Sequence, residues 1–219
     1  MFKSDRRAFE TELSTRGITR LIHFTTEQNL PIIMEAGSVL SRSHLTEIRH
    51  PDESILDAVV TNDQVRLDNR PDYVNVSIEH PNIPLLNAYK RRNSLSHVNW
   101  CLLALSPELI FHRDTLFAIT NAASNRAKKA GISGDISDFR RLFSDTAKPN
   151  DSALNSNSKY PVDIQAEVLY QGSIPTGYID EVIFETDEHQ AKTVAALRLL
   201  GVPVPKNKVD PRMFKIARL

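Results

Sequence analysis

Residues 162–170 alternate, and the alternation sets one carboxylate where it can do chemistry. Read as a strand, the segment turns Val162, Ile164, Ala166, Val168 and Tyr170 to one face and leaves Asp163, Gln165 and Glu167 side by side on the other. A carboxylate in mid-strand, with a carboxamide two residues before it, is placed to face a cleft. From such a place a carboxylate serves as a general base or stabilises a developing cation. The same pattern also fits the solvated face of an antiparallel sheet, and the pattern alone does not decide between the two.

The other chemistry-bearing residue types narrow the choice. The seven histidines are dispersed, with no His-x-x-x-His or His-x-Glu spacing, so no metal ligand set is expected. A nucleophile elbow is absent. The single cysteine, Cys101, sits in the apolar run Trp100-Cys101-Leu102-Leu103-Ala104-Leu105 and reads as a buried, inert thiol. His23 shares a strand face with Leu21 and Thr25, which by itself suits an ordinary core or surface histidine. Arg66, in a polar stretch, reads by itself as a solvated charge.

Composition excludes some partners and leaves others. The 219 residues carry 27 Lys+Arg against 27 Asp+Glu, so the molecule has no bulk charge with which to bind a polyanion. Any nucleic-acid contact is then local. Lys90, Arg91 and Arg92 form one basic cluster, and Arg126, Lys128 and Lys129 another, although such runs are commonly just solvated faces. Residues 1–20 lack an apolar segment of signal-peptide type, and nothing approaches the ~20 apolar residues that span a bilayer. A cytoplasmic, reducing setting is the expectation.

These residues need elements to position them. Periodicity predicts strands over 18–25, 73–80, 97–105, 162–170 and 178–184, with an edge strand in the tail 202–214. In the strand 73–80, Val74, Val76 and Ile78 point one way, and Tyr73, Asn75, Ser77 and Glu79 the other. Helices are expected over 9–13, 29–36, 121–130 and 188–200, with Gly17, Gly37 and Gly201 as stops. Short helical pieces are expected at 109–111 and 139–143. Residues 41–71 and 131–159 read as long loops, of the kind that carries function in a compact domain. The sum is one α+β domain over residues 1–219, with five or six short strands and no internal repeat.

The order of the segments carries a resemblance. Ile22-His23-Phe24-Thr25 is followed by Asn29-Leu30-Pro31-Ile32-Ile33 and Gly37, then by Asn62-Asp63 through Arg66-Leu67-Asp68. Next come Tyr73-Val74-Asn75-Val76-Ser77-Ile78, Phe117 through Asn121-Ala122-Ala123, and Gln165-Ala166-Glu167-Val168-Leu169. In this order they resemble the successive motifs of the DarT family, over most of the chain from Leu21 to Leu169.

The resemblance implies an ADP-ribosyltransferase fold, a split antiparallel sheet with flanking helices and long site loops. It implies NAD as co-substrate, with no metal, and transfer of ADP-ribose to a base of single-stranded DNA. Such enzymes act as toxins of a toxin–antitoxin or phage-defence pair, beside a macrodomain antitoxin that removes the mark. By position, Glu167 matches the catalytic glutamate and Arg66 the arginine that works with it. His23, Thr25 and Asn29 match the segment lining NAD, with Ser77 on the same side. Gln165 and Asn121 fall on the acceptor side, where Lys90, Arg91 and Arg92 supply phosphate contacts. The blander readings make Ser77 a small strand residue and Asn121 a helix cap.

The implied chemistry suits the layout. NAD cleavage passes through a ribosyl oxocarbenium ion, which a facing carboxylate stabilises. The same glutamate or a neighbour must help deprotonate the acceptor base. Arg66 is suited either to the NAD pyrophosphate or to polarising the base. The segment Ser77-Ile78-Glu79-His80-Pro81-Asn82 departs from the thymidine-modifying members and resembles the guanosine-modifying branch. Two alternatives remain open: an acceptor that is RNA or protein, and an inactive nucleic-acid-binding module that kept the fold.

Overall fold

The computed structural model describes residues 1–47, 67–92, 97–144 and 158–216. In chain order the strands are β1 (Leu21–Thr26), β2 (Ser38–Val39), β3 (Tyr73–Ile78), β4 (Trp100–Leu105) and β5 (Leu116–Ala118), followed by β6 (Glu167–Gln171), β7 (Ile174–Pro175), β8 (Ile179–Phe184) and β9 (Asn207–Val209). The helices are α1 (Arg6–Arg16), α2 (Asn29–Ala36), α3 (Arg42–Glu47), α4 (Ile83–Lys90), α5 (Asn125–Ala130), α6 (Ile136–Arg141) and α7 (Asp187–Leu199). Seven strands form one sheet in the order β5-β6-β3-β1-β4-β8-β9, and β2 pairs with β7 separately.

The apolar run of β4 explains its central place. All six of its residues are buried, as a strand covered on both faces requires. Cys101, Leu103 and Leu105 enter the larger core with Leu21, Val74, Val76 and Val168. Trp100, Leu102 and Ala104 enter a second core on the opposite face, with Ile22, Ile83, Leu86 and Phe214. Burial pushes the Cys101 thiol upward, which makes it inert as its sequence setting suggested.

Helix α1 packs Phe9 and Leu13, one turn apart, into the larger core, and Phe9 meets Phe117 and Phe139 at ring distances of 5.7 and 5.6 Å. It ends because Gly17 takes the left-handed conformation at φ 66°, and the Ile18 N–H turns back to the Leu13 carbonyl at 2.9 Å. That turn delivers the chain into β1.

The sheet is antiparallel except where β9 runs parallel to β8. β1 pairs with β4 through six residues, from Leu21↔Leu105 to Thr26↔Trp100. With β3 it pairs through only two, Leu21↔Ile78 and Ile22↔Ser77. Beyond Ile22 the two strands part, and the sheet opens into a cleft. This is the split sheet that the resemblance implied.

Several elements differ from the sequence expectation. The strand expected over 162–170 begins only at Glu167, because residues 161–166 turn: the Ala166 N–H donates to the Asp163 carbonyl and the Gln165 N–H to the Asp163 carboxylate, both at 2.9 Å. Val162 and Ile164 are therefore exposed, and Asp163, Gln165 and Glu167 do not share a strand face. The expected helix over 121–130 starts at Asn125 under a Ser124 cap. Helix α4 was not expected; Asn82 caps it by accepting from the Leu85 N–H, and proline occupies its first turn. The strands exceed five or six because β2, β5 and β7 are too short to show periodicity. The tail does return as an edge strand, β9.

At the end of β3 the chain kinks at Glu79, whose φ is 61°. Its buried carboxylate accepts from the Thr19 main chain and hydroxyl and from the Arg20 N–H, and pairs with Lys159 at 3.2 Å. It so ties the start of β1, the end of β3 and the approach to β6. Glu79→Ala is expected to destabilise the protein by about 2–3 kcal/mol, because hydrogen bonds to a charged group contribute ~1.5–3 kcal/mol and Lys159 retains access to water. Urea unfolding of the variant against the parent measures it, and a loss under about 0.5 kcal/mol, the range of ordinary surface substitutions, would make the cluster incidental.

Candidate active site

The split of β1 from β3 opens a cleft of about 360 Å³, within the usual range for small-molecule sites. β1 supplies His23, Phe24 and Thr25 to its wall, and β3 supplies Tyr73, Asn75 and Ser77. Helix α2 and the chain after it add Asn29, Ile32, Ser41 and Arg42. Asn82, Leu85, Tyr89 and Arg92 close it from the α4 side, and Asn121, Ala123 and Glu167 from the β6 side.

Glu167 opens β6 and is 4% exposed. Its Oε2 accepts from the Ala122 main-chain N–H at 2.8 Å and from Asn75 Nδ2 at 3.2 Å. Ala122 is presented by a turn in which Asn121 Oδ1 accepts from the Ala123 N–H at 2.9 Å and the Asn121 carbonyl accepts from the Ser124 N–H at 2.9 Å. A buried carboxylate with fixed donors is preorganised to face positive charge.

Across the split, His23 Nδ1 lies 3.0 Å from the Asn75 carbonyl. A carbonyl only accepts, so Nδ1 carries the hydrogen, and in the neutral ring Nε2 is an acceptor. This contact continues, through a side chain, the ladder that β1 and β3 abandon after Ile22. Thr25 and Asn29 are both buried, and Asn29 Nδ2 donates to Thr25 Oγ1 at 3.2 Å, locking the end of β1 to the start of α2.

Of the residues singled out from the sequence, the fold therefore brings Glu167, His23, Thr25, Asn29, Ser77, Asn121 and Arg92 to one cleft. Arg92 stacks over Tyr89, with its guanidinium carbon 4.4 Å from the ring centre. Gln165 does not line the cleft; it belongs to the turn before β6. Lys90 and Arg91 do not line it either, and Lys90 pairs with Glu185 at 2.7 Å. Arg66 lies outside the described residues. Sequence reasoning assigned no role to Asn75 or to the Ala122 main chain. Asn75 was visible as a carboxamide on the polar face of β3, but its partner lies 92 positions away. Among the described residues no group of His, Cys, Asp and Glu is arranged to hold a metal, and no helix is long and apolar enough to cross a membrane.

A split antiparallel sheet with a held glutamate in the split is the architecture of an ADP-ribosyltransferase. The family model described as "ssDNA thymidine ADP-ribosyltransferase, DarT" matches residues 22–215, and the chain belongs to that family. Among solved structures it is similar to DarT of Thermus sp. 2.9 in complex with NAD+, at 15% identity and a TM-score of 0.58, over 90% of this chain and 98% of that one. The same Thermus enzyme in complex with ADP-ribosylated single-stranded DNA matches at 16% identity and a TM-score of 0.57, over 91% and 97% of the two chains. DarTG of Thermosipho africanus in complex with ADP-ribose matches at 19% identity and a TM-score of 0.54, over 90% of this chain and 51% of that one. No curated protein matches the sequence.

Glu27 joins β1 to α2 and reaches α7. It accepts from the Thr193 hydroxyl at 3.2 Å and meets His189 Nδ1 at 3.4 Å. Burial pushes its carboxyl above the ordinary 4.5, although His189 and Thr193 pull it back. A carboxyl raised in the folded state contributes stability that is full below pH 4.5 and is lost as pH rises through the raised value. Glu27→Gln keeps an acceptor for Thr193 and removes that titration. The melting temperature of the variant minus that of the parent is thus expected to increase between about pH 4.5 and about pH 8. Thermal unfolding across the interval measures it, and a flat or falling difference would contradict the assignment.

Proposed function

We propose that this chain cleaves NAD and transfers its ADP-ribose to a base of single-stranded DNA, as the toxin of a toxin–antitoxin or phage-defence pair in the cytoplasm. The observation that carries the reading is the Glu167 carboxylate, buried and held by two N–H donors on the wall of the split. The bond between the ribose C1′ and the nicotinamide nitrogen breaks, nicotinamide leaves neutral, C1′ bonds to a base nitrogen, and that nitrogen loses a proton. Glu167 faces the oxocarbenium ion and helps remove the proton. His23, Thr25, Asn29 and Ser77 hold NAD, and Asn121 acts on the acceptor side through the turn that supports Glu167. Arg66, as the second catalytic group, rests on its motif alone. Gln165, Lys90, Arg91 and Arg92 are kept as acceptor contacts outside the chemistry. A macrodomain antitoxin is the partner that the family resemblance implies.

A stacked base cannot reach a cleft-bound ribose unless it flips out at a cost of a few kcal/mol, so an unpaired strand is the favoured acceptor. For the base we propose guanine, on the resemblance of residues 77–82 to the guanosine-modifying branch, although the family's description names thymidine. Of those six residues only Ser77 and Asn82 line the cleft, and Glu79 is committed to Thr19, Arg20 and Lys159.

Glu167→Ala is expected to lower transfer by about 10²–10³ while the protein stays folded, as for loss of a preorganised transition-state group. Near-native transfer would remove Glu167 from the mechanism. His23→Ala should raise the KM for NAD more than it lowers kcat, and the reverse pattern would move His23 into the chemistry. Labelled NAD, offered with four homopolymer-biased strands in single and duplex form, and separately with RNA and cell protein, tests the acceptor. Equal labelling of duplex and single strand would defeat the single-strand reading, labelling confined to thymine-containing strands would exclude guanine, and labelling of RNA or protein alone would replace DNA.

A further inference from the structure

Asn75 is the residue in which the two halves of the site meet. Its main-chain carbonyl accepts from His23 Nδ1 at 3.0 Å, across the opening between β1 and β3. Its side-chain Nδ2 donates to Glu167 Oε2 at 3.2 Å, along the adjoining strand β6. Neither contact is a sheet ladder bond. In register, Val76 faces Val168, so Asn75 and Glu167 are diagonal neighbours whose side chains meet on the cleft side while Val74 and Val76 enter the core. We propose that Asn75 is the positioning residue of the transfer reaction: it fixes the Glu167 carboxylate relative to the NAD wall formed by His23, and it acts through Glu167 rather than on substrate.

The physical reason is geometric. A glutamate has three rotatable bonds, and Oε2 is pinned here from two directions, by the Ala122 N–H behind and by the Asn75 amide from the strand that borders the split. Removal of one pin widens the range of rotamers open to the carboxylate. Misplacement of a reacting group by about 1 Å costs on the order of 10² in rate. The His23 contact uses main chain only, so no side-chain substitution at position 75 deletes it.

This inference rests on the catalytic role proposed for Glu167, and the test separates the two. Asn75→Ala, Asn75→Asp and Glu167→Ala are purified beside the parent, and kcat and KM for NAD consumption are measured together with thermal unfolding. Asn75→Ala is expected to lose about 10–10² in kcat with KM for NAD within about twofold, because the main-chain contact that holds His23 remains. Asn75→Asp keeps the shape of the side chain but sets a second carboxylate against Glu167, where like charges repel, so its kcat should fall further than that of Asn75→Ala. A merely structural asparagine predicts the opposite order, with the isosteric variant the milder. Native kcat in Asn75→Ala, a loss carried by KM, or an Asp variant more active than the Ala variant would each overturn the proposal. Full activity in Glu167→Ala would overturn both this proposal and the reading beneath it, whereas an inactive Glu167→Ala beside a fully active Asn75→Ala overturns only the role of Asn75.

Discussion

The ladder between β1 and β3 stops after two residue pairs, and the working parts of this protein depend on that stop. Had the pairing continued to the end of β1, as it does on the β4 side, His23 and Thr25 would border a closed sheet. The parting leaves backbone groups that need other partners, since buried peptide groups cannot go unpaired without cost. His23 meets one such need by donating to the Asn75 carbonyl, so one histidine both repairs the opened sheet and lines the cleft. At the closed end Glu79 clasps Thr19, Arg20 and Lys159, which confines the opening to one end of the strands.

A carboxylate as buried as Glu167 is costly unless fixed donors replace the water it loses. The Asn121 turn and the Asn75 amide provide two such donors. These donors hold the oxygen in place on the wall of the cleft. Water would have to reorganise as charge developed, and fixed dipoles do not.

The far side of the sheet makes the cleft walls firm. Ile83, Leu86 and Tyr89 of α4 pack on Trp100 and Leu102, while Leu30 and Ile33 of α2 enter the core on the opposite face. Each wall helix is thus anchored by apolar residues buried in one of the two cores. The likeness to the solved DarT structures, held at 15–19% identity, is a likeness of this arrangement, because a core tolerates exchange of apolar residues when volume and patterning are kept.

Local chemistry alone determined much of this protein. Alternation in β3, the unbroken apolar run of β4, the glycine stops after α1, α2 and α7, and the inert setting of Cys101 all follow from interactions within a few residues. The order of the motifs was enough to single out His23, Thr25, Asn29, Ser77 and Glu167, which the fold gathers into one cleft. Tertiary structure decided the rest. The alternation across 162–170 is real in sequence, but hydrogen bonds to Asp163 turn the chain before β6 and take Gln165 away from Glu167. Lys90, a phosphate contact by composition, is engaged by Glu185, 95 positions away. The bond between Asn75 and Glu167 is as distant, and no periodicity encodes where a ladder ends or which side chain then spans the gap. Those outcomes are set by the packing of whole strands against one another, a long-range balance that short windows of sequence do not contain.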